Sequence, residues 1–263
     1  PPPHPPPPPP LFFHAEYVIR YSVESRGLGD VYKRQFISHA AHYGFGCIWI
    51  DLEHRAFDDR EVQSLIYQAH LHDIDMMVRP STLEKTKLYR YLEDGAAGVM
   101  IPHVSDAEKA IALVNAVKFP PLGDRGIDGA GMDSSFMLKG GYEYTEPANK
   151  ETFLVVQIET LEAVRNIEEI ASVKGVDCLF VGIGDLGLRI NKLGFELDLE
   201  QSIVKVAEVA KEHGKAWGRP VSGMDDINKI ISQGATLLPY GGDFTMLKDE
   251  LKRHSSELDQ CLI

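Results

Sequence analysis

The sequence predicts an α/β chain folded as a (β/α)8 barrel of the TIM type. Three observations carry this expectation. From Phe36 onward, short apolar runs alternate with amphipathic helical stretches. Most of those runs are apolar throughout, as in parallel strands covered on both faces. Ionisable residues collect just after the runs, at the strand ends where a barrel keeps its chemistry.

The first 35 residues stand apart. "PPPHPPPPPP" forms neither helix nor sheet and reads as polyproline or disorder. "LFFHAEYVIRYSVESRGLGDVYKRQ" has no clear period and offers one weak strand candidate, Tyr17–Val23. Residues 1–35 are therefore expected to be disordered or foreign to the fold, with 36–263 as the barrel domain. A proline-rich docking ligand is the functional alternative for this segment. The first barrel strand is left uncertain or missing.

The later elements follow in order. "FISHAAHYG" is a short helix ended by Gly44, and "CIWI" a buried strand. "DDREVQSLIYQAHLHD" is a helix with an acidic first turn, which the helix dipole favours. "DMMVRP" is a strand stopped by Pro80, and "LEKTKLYRYLEDG" a helix ending at Gly95. "AGVMIPHV" is a strand, and "SDAEKAIALVNAVK" a helix with a serine N-cap. "TFLVVQIET" and "LEAVRNIEEIASV" form the next strand and helix. "VDCLFVGIGD" and "EQSIVKVAEVAKEHG" repeat the unit, as do "KAWGRPVS" and "MDDINKIISQG". "ATLLPYGGD" is the last strand, and "FTMLKDELKRHSSEL" a closing helix. A doubly wound sheet is the second reading. No GxGxxG follows the first strand, however, and "GIGDLG" at 182–187 comes late and opens no obvious long helix.

Composition excludes several classes of function. A net charge of −12 argues against nucleic acid, which needs a basic face. Cys47, Cys178 and Cys261 have no metal-like spacing; Cys47 and Cys178 lie in apolar runs and read as reduced core residues, which points to the cytoplasm. No run reaches the 18 apolar residues of a membrane helix, and no secretory signal pattern appears.

The candidate site is built from strand ends. Asp51 and His54 follow "CIWI", Arg79 ends "DMMVR", and His103 ends "GVMIPH". Gln157 and Glu159 end "LVVQIE", and Asp185 follows "LFVGIG". Glu159 and Asp185 are carboxylates at adjacent strand ends with few basic neighbours in sequence. Such a pair repels itself unless a cation lies between, so a hard divalent ion is the natural occupant. The plain alternative is that each caps a helix. Arg79, held extended by Pro80, offers a fork to a carboxylate or a developing oxyanion. A structural salt bridge to Glu93 or Asp94 is its plain alternative. His54 suits proton transfer, with Asp51 three residues earlier to orient the ring. A surface histidine is the alternative. Glu53 and Arg55 read as solvated or interface charges. The long connection 119–151 points to function or an interface.

Together, "GFGCIWIDLEH", "VRPS", "GVMIPHV", "PPLGDRG", "ANKETFLVVQIET", "VDCLFVGIGDLG" and "GATLLPYGGDFTML" resemble the HpcH/HpaI aldolase/citrate lyase family. The likeness covers about residues 36–250, and "DLEH", "QIET" and "VGIGDLG" make it specific. It implies a metal-dependent lyase that splits or forms 4-hydroxy-2-oxo acids, giving pyruvate and an aldehyde. Glu159 and Asp185 would ligate Mg2+, Mn2+ or Co2+, and pyruvate would chelate that ion. Gln157 would support the metal shell. Gly182 and backbone N–H groups near Gly184 would help hold the carboxylate, and His103 would contact substrate. Arg79 would stabilise the enolate oxygen. Asp51 and His54 would form the proton-transferring dyad, with Glu93 supporting it. The resemblance also implies a homo-oligomer, a hexamer or trimer of dimers, with the last helix exchanged between subunits. Oxaloacetate decarboxylation, a macrophomate-synthase-like reaction, CoA-ester cleavage and a truncated non-catalytic barrel are the competing readings. The acidic balance gives little sign of the basic groove a CoA ester would need.

Overall fold

A computed structural model describes residues 26–29, 34–139 and 141–261. The strand considered at Tyr17–Val23 lies outside them. The first described strand is instead β1 (Arg26–Gly29), hydrogen-bonded between neighbours on both sides. Helix α1 (Arg34–His42) follows and ends at Gly44, whose φ of +79° supplies the left-handed turn.

Six strands then pair in sequence order as a parallel, curled half-barrel. They are β2 (Cys47–Asp51), β3 (Asp75–Arg79), β4 (Gly98–Ile101), β5 (Phe153–Ile158), β6 (Cys178–Val181) and β7 (Ala216–Gly218). On the other edge β1 pairs with both β2 and β8 (Leu238–Gly242), again in parallel. Two isolated parallel bridges, Gly218↔Leu237 and Val221↔Tyr240, link the chain at β7 to the chain at β8. The order never reverses direction, so the sheet has no switch point of the doubly wound kind.

Helices connect the strands: α2 (Asp59–Leu71), α3 (Lys85–Glu93) and α4 (Ala107–Val117). The long connection after α4 contains a short 3-10 turn at Met132–Ser134 and helix α5 (Thr145–Glu151). Asp58 caps α2, accepting from the Glu61 N–H at 2.8 Å. Asp106, not Ser105, caps α4 through the Lys109 N–H, because Ser105 spends its hydroxyl on the Asp106 carboxylate.

The stretch expected as one helix after β5 is two, α6 (Leu161–Arg165) and α7 (Ile167–Ser172). Asn166 breaks them, and its side chain donates to the Ser105 carbonyl at 2.9 Å. Beyond β6 come α8 (Ile183–Leu193) and α9 (Leu199–Glu212), the latter opened by a capping box between Asp198 and Gln201. Helix α10 (Gly223–Ser232) lies between β7 and β8, and α11 (Asp243–Cys261) closes the chain. No described helix is long and apolar enough to cross a membrane.

The strands are apolar on both faces, and the two-residue period splits them into two cores. Ile48, Ile50, Met76, Val78, Val99, Leu154, Val156 and Leu179 face the helices. Cys47, Met77, Met100, Val155, Cys178 and Phe180 fill the inside of the curl, with Trp49 edge-on to Phe180. Burial pushes both interior thiols well above their ordinary range, while Cys261 is exposed at the end of α11. Extending the inward set by two residues along β2, β3 and β5 names the residues at the mouth of the curl.

Candidate active site

Asp51, Arg79, Gln157 and Glu159 are those inward residues at the strand ends. Asp51 and Arg79 are register partners across β2 and β3. Asp51 is almost fully buried and receives both arms of the guanidinium, Arg79 Nε to Oδ1 at 2.8 Å and Nη2 to Oδ2 at 2.7 Å. Its Oδ1 also accepts the N–H groups of Glu53 and His54. Burial raises the Asp51 carboxyl, but the Arg79 pair and those two N–H groups outweigh it and hold it below its ordinary value.

Arg79 lies over the Trp49 ring, 4.5 Å from its centroid. Nη1 makes a single long contact, 3.5 Å to Gln157 Oε1. The bridge to Glu93 or Asp94 considered from sequence does not form. Arg79 pairs with Asp51 and, at 3.2 Å, with Glu53.

Glu53 is the residue that sequence reasoning missed. It is not a solvated bystander: one oxygen meets Arg79, the other lies 3.6 Å from His103 Nε2, and His54 Nε2 is 3.7 Å away. The loop after β2 folds back across the mouth, drawn in by the Asp51 side chain, and carries Glu53 inward with it. No two-residue period pointed to it, because residues 52–55 form bends and not strand.

The Asp51–His54 dyad takes a different form from the expected one. Asp51 accepts the backbone N–H of His54, not its ring, and the ring is 57% exposed, with Glu53 as its nearby carboxylate. The cause is Arg79, which occupies both Asp51 oxygens.

Across the mouth, Gln157 and Glu159 are both buried, and Gln157 Nε2 donates to Glu159 Oε2 at 3.4 Å. His103 sits with φ +54° and turns its N–H onto Glu159 Oε1 at 2.8 Å, with ring Nδ1 at 3.2 Å. Burial pushes the Glu159 carboxyl up, His103 pulls it down, and the nearby Asp185 and Glu53 push it up again.

Gly182 leaves room for that carboxylate. A Cβ there would lie 2.4 Å from Glu159 Oε2, closer than side chains tolerate. "GIGDLG" does open a long helix after all, α8, with Gly184 and Asp185 in its first turn. Their N–H groups lack helical acceptors and can serve an anion. A Cβ at Gly184 would meet nothing within 4 Å. Asp185 is half-exposed and pairs with Arg189 at 2.8 Å, one helical turn on, a basic neighbour the sequence spacing did not bring out.

Glu93 is not part of this cluster. It ends α3, which runs antiparallel to the strands, so it lies at their amino ends beside Arg125, Asp133 and Asp128.

Among the described residues, no three His, Cys, Asp or Glu side chains are grouped around a single ion position. Two carboxylates with substrate and water oxygens suffice for a hard ion. Glu159 fits that role chemically: its carboxyl is raised first by burial and further by Asp185 and Glu53, and it faces a position that only glycine leaves open.

Comparison with known proteins settles the family. The family model for HpcH/HpaI aldolase/citrate lyase matches residues 31–249. The chain belongs to the HpcH/HpaI aldolase/citrate lyase family. A 2-dehydro-3,6-dideoxy-6-sulfogluconate aldolase of Pseudomonas putida is 30% identical over 210 residues, 78% of this chain and 80% of its own. A 4-hydroxy-2-oxovalerate aldolase of Rhodococcus jostii is 31% identical, with 84% of each chain covered. Among solved structures, an HpcH/HpaI aldolase from Desulfitobacterium hafniense superposes with a TM-score of 0.82 at 27% identity, covering 94% of this chain and 96% of that one.

Proposed function

We propose that this HpcH/HpaI-family protein is a lyase that cleaves 4-hydroxy-2-oxo acids to pyruvate and an aldehyde, and forms them in reverse. The observation that carries the reading is the convergence of Arg79, Glu53, His103, Gln157 and the buried Glu159 at one strand-end mouth. The relatives named as aldolases of such acids support it.

Glu159 and Asp185 would hold a divalent cation, Mg2+, Mn2+ or Co2+, with Gln157 beside them. The ion supplies Lewis-acid stabilisation of negative charge on the 2-oxo oxygen. Arg79 supplies the fixed positive charge: Asp51 clamps two arms of the fork and leaves Nη1 toward the mouth. The first-turn N–H groups at Gly184 and Asp185 suit the substrate carboxylate, and Gly182 keeps the approach open.

His54 takes the C4 hydroxyl proton, directly or through a water. The C3–C4 bond then breaks, its electron pair passes to the oxo acid as an enolate, and the aldehyde leaves. Protonation at C3 gives pyruvate. Glu53 is the carboxylate poised beside the His54 ring, and Asp51 acts by holding Arg79.

We extend the reading to architecture. The bridges between β7 and β8 support closure into a full (β/α)8 barrel, preceded by an irregular N-terminal segment. No residue of α11 is buried, and Phe244, Leu247, Leu251 and Leu258 share one exposed face at helical spacing. That stripe suits exchange onto another subunit of a homo-oligomer.

Pyruvate release from a panel of 4-hydroxy-2-oxo acids and oxaloacetate, with and without EDTA, tests the function. EDTA-sensitive aldol cleavage supports it, and Glu159→Ala is expected to lose at least about 100-fold in kcat/KM. Full metal-dependent activity in that variant would remove Glu159 from the site.

A further inference from the structure

Asp185 has a basic partner that the chemistry set out above does not use. Arg189 lies one turn further along α8, and its Nη1 makes two contacts. It donates to Asp185 Oδ1 at 2.8 Å and to the backbone carbonyl of Glu159 at 3.2 Å. One guanidinium nitrogen therefore bridges the two residues assigned to the cation, one through its carboxylate and the other through its main chain. The Arg189 side chain is 28% exposed, so solvent screens its charge only in part.

The other long cations of the mouth are engaged elsewhere. Arg79 pairs with Asp51 and Glu53, and Lys109 donates to the His103 carbonyl. Among the described residues, Arg189 is the donor that bonds the Asp185 carboxylate. As a helix-stabilising pair the contact returns only a few tenths of a kcal/mol, little for a positive charge set beside a cation site.

The affinity of a hard cation follows the charge its ligands present. Glu159 and Asp185 offer two carboxylates, and a fixed guanidinium on one of them offsets part of that attraction and repels the ion. Asp185 Oδ2 is not bonded to Arg189, so a ligand oxygen remains and the site is weakened, not blocked.

We propose that Arg189 is a built-in counter-charge that lowers the affinity of this site for a divalent cation and leaves the ion exchangeable with solution. The inference rests on the assignment of Glu159 and Asp185 to the ion, and it concerns binding, not turnover.

The probe is Mn2+ alone, titrated into the full chain at pH 7.5, with the free ion counted by electron paramagnetic resonance. Arg189→Gln keeps a hydrogen-bond donor and drops the charge; its Kd is expected about tenfold below that of the wild type, the effect of removing one like charge beside the ion. Arg189→Met, also neutral, is expected to match it. Arg189→Lys keeps the charge, and its Kd is expected within about threefold of the wild type. A residue that merely orients Asp185 would do the opposite, its neutral variants binding Mn2+ more weakly. Weaker or unchanged binding in both neutral variants overturns the proposal, and so does a gain in Arg189→Lys equal to that in Arg189→Gln. Glu159→Ala tests the underlying assignment separately. If it loses Mn2+ while the neutral variants match the wild type, only the counter-charge falls. If it binds Mn2+ as the wild type does, the site itself falls. Absence of saturable binding in the wild type and in Arg189→Gln alike overturns both.

Discussion

Asp75→Asn isolates the cost of a half-buried carboxylate that lacks a partner. Titratable groups near Asp75 are Asp73 and Cys47, with His70, Asp133, Lys139 and Glu151 around the cavity that Asp75 lines. Burial and Asp73 raise its carboxyl from 3.8 to about 7. An acid whose folded value is raised keeps its proton in the native state after the unfolded chain has lost it. Native stability therefore falls as pH rises from about 4 to about 7 and is level above that. Three pH units at 1.36 kcal/mol each make the full cost about 4 kcal/mol. At pH 5 only about 1.6 kcal/mol of it has appeared, so the cost grows by about 2 to 3 kcal/mol between pH 5 and pH 8.5. The asparagine does not titrate. Its Tm relative to wild type is expected to be higher at pH 8.5 than at pH 5 by roughly 5–10 °C for a chain of this length. Thermal unfolding followed by circular dichroism at the two pH values measures this. A Tm difference between variant and wild type that is the same at both pH values within about 1 °C would refute the premise that Asp75 titrates without a partner.

Gly182→Ala places a methyl 2.4 Å from Glu159 Oε2, which forces the carboxylate aside by about 1 Å; kcat/KM is expected to fall about 100-fold with the far-UV spectrum unchanged. Activity within threefold of wild type would show that Glu159 needs no such clearance. Arg79→Lys replaces a clamped fork by a single ammonium, and kcat is expected to drop about 100- to 1,000-fold, more than KM rises, in steady-state kinetics. Asp51→Asn leaves Arg79 with Glu53 alone and is expected to cost about 2–3 kcal/mol by urea unfolding at pH 7. Because the Asp51 carboxyl is held below its ordinary value, that difference is present above pH 4 and shrinks as pH falls through the lowered folded value.

Much of the fold was legible because parallel strands buried on both faces leave long apolar runs. The inward positions of Asp51, Arg79, Gln157 and Glu159 follow from counting by twos along those runs. The errors have physical causes. "RGLG" at β1 has no β-branched or aromatic residue, so nothing in its composition marks a strand. Glu93 was placed by likeness alone, whereas a helix returning antiparallel to its strand carries its last residue to the far end. Glu53 was discounted as one charge among several, since the turn that aims it inward depends on Asp51 capturing two N–H groups. Asp185 has an arginine within reach because "GIGDLG" winds into helix despite its glycines.

The placement of the cysteines has a practical consequence. Cys47 and Cys178 are sealed inside the curl with their thiols shifted away from the reactive thiolate, and Cys261 stands in solvent on the last turn of α11. A maleimide dye added to the native protein is directed to that one position without engineering. The label then rides on the helix proposed to cross between subunits, so fluorescence depolarisation between identical dyes can follow subunit exchange in real time.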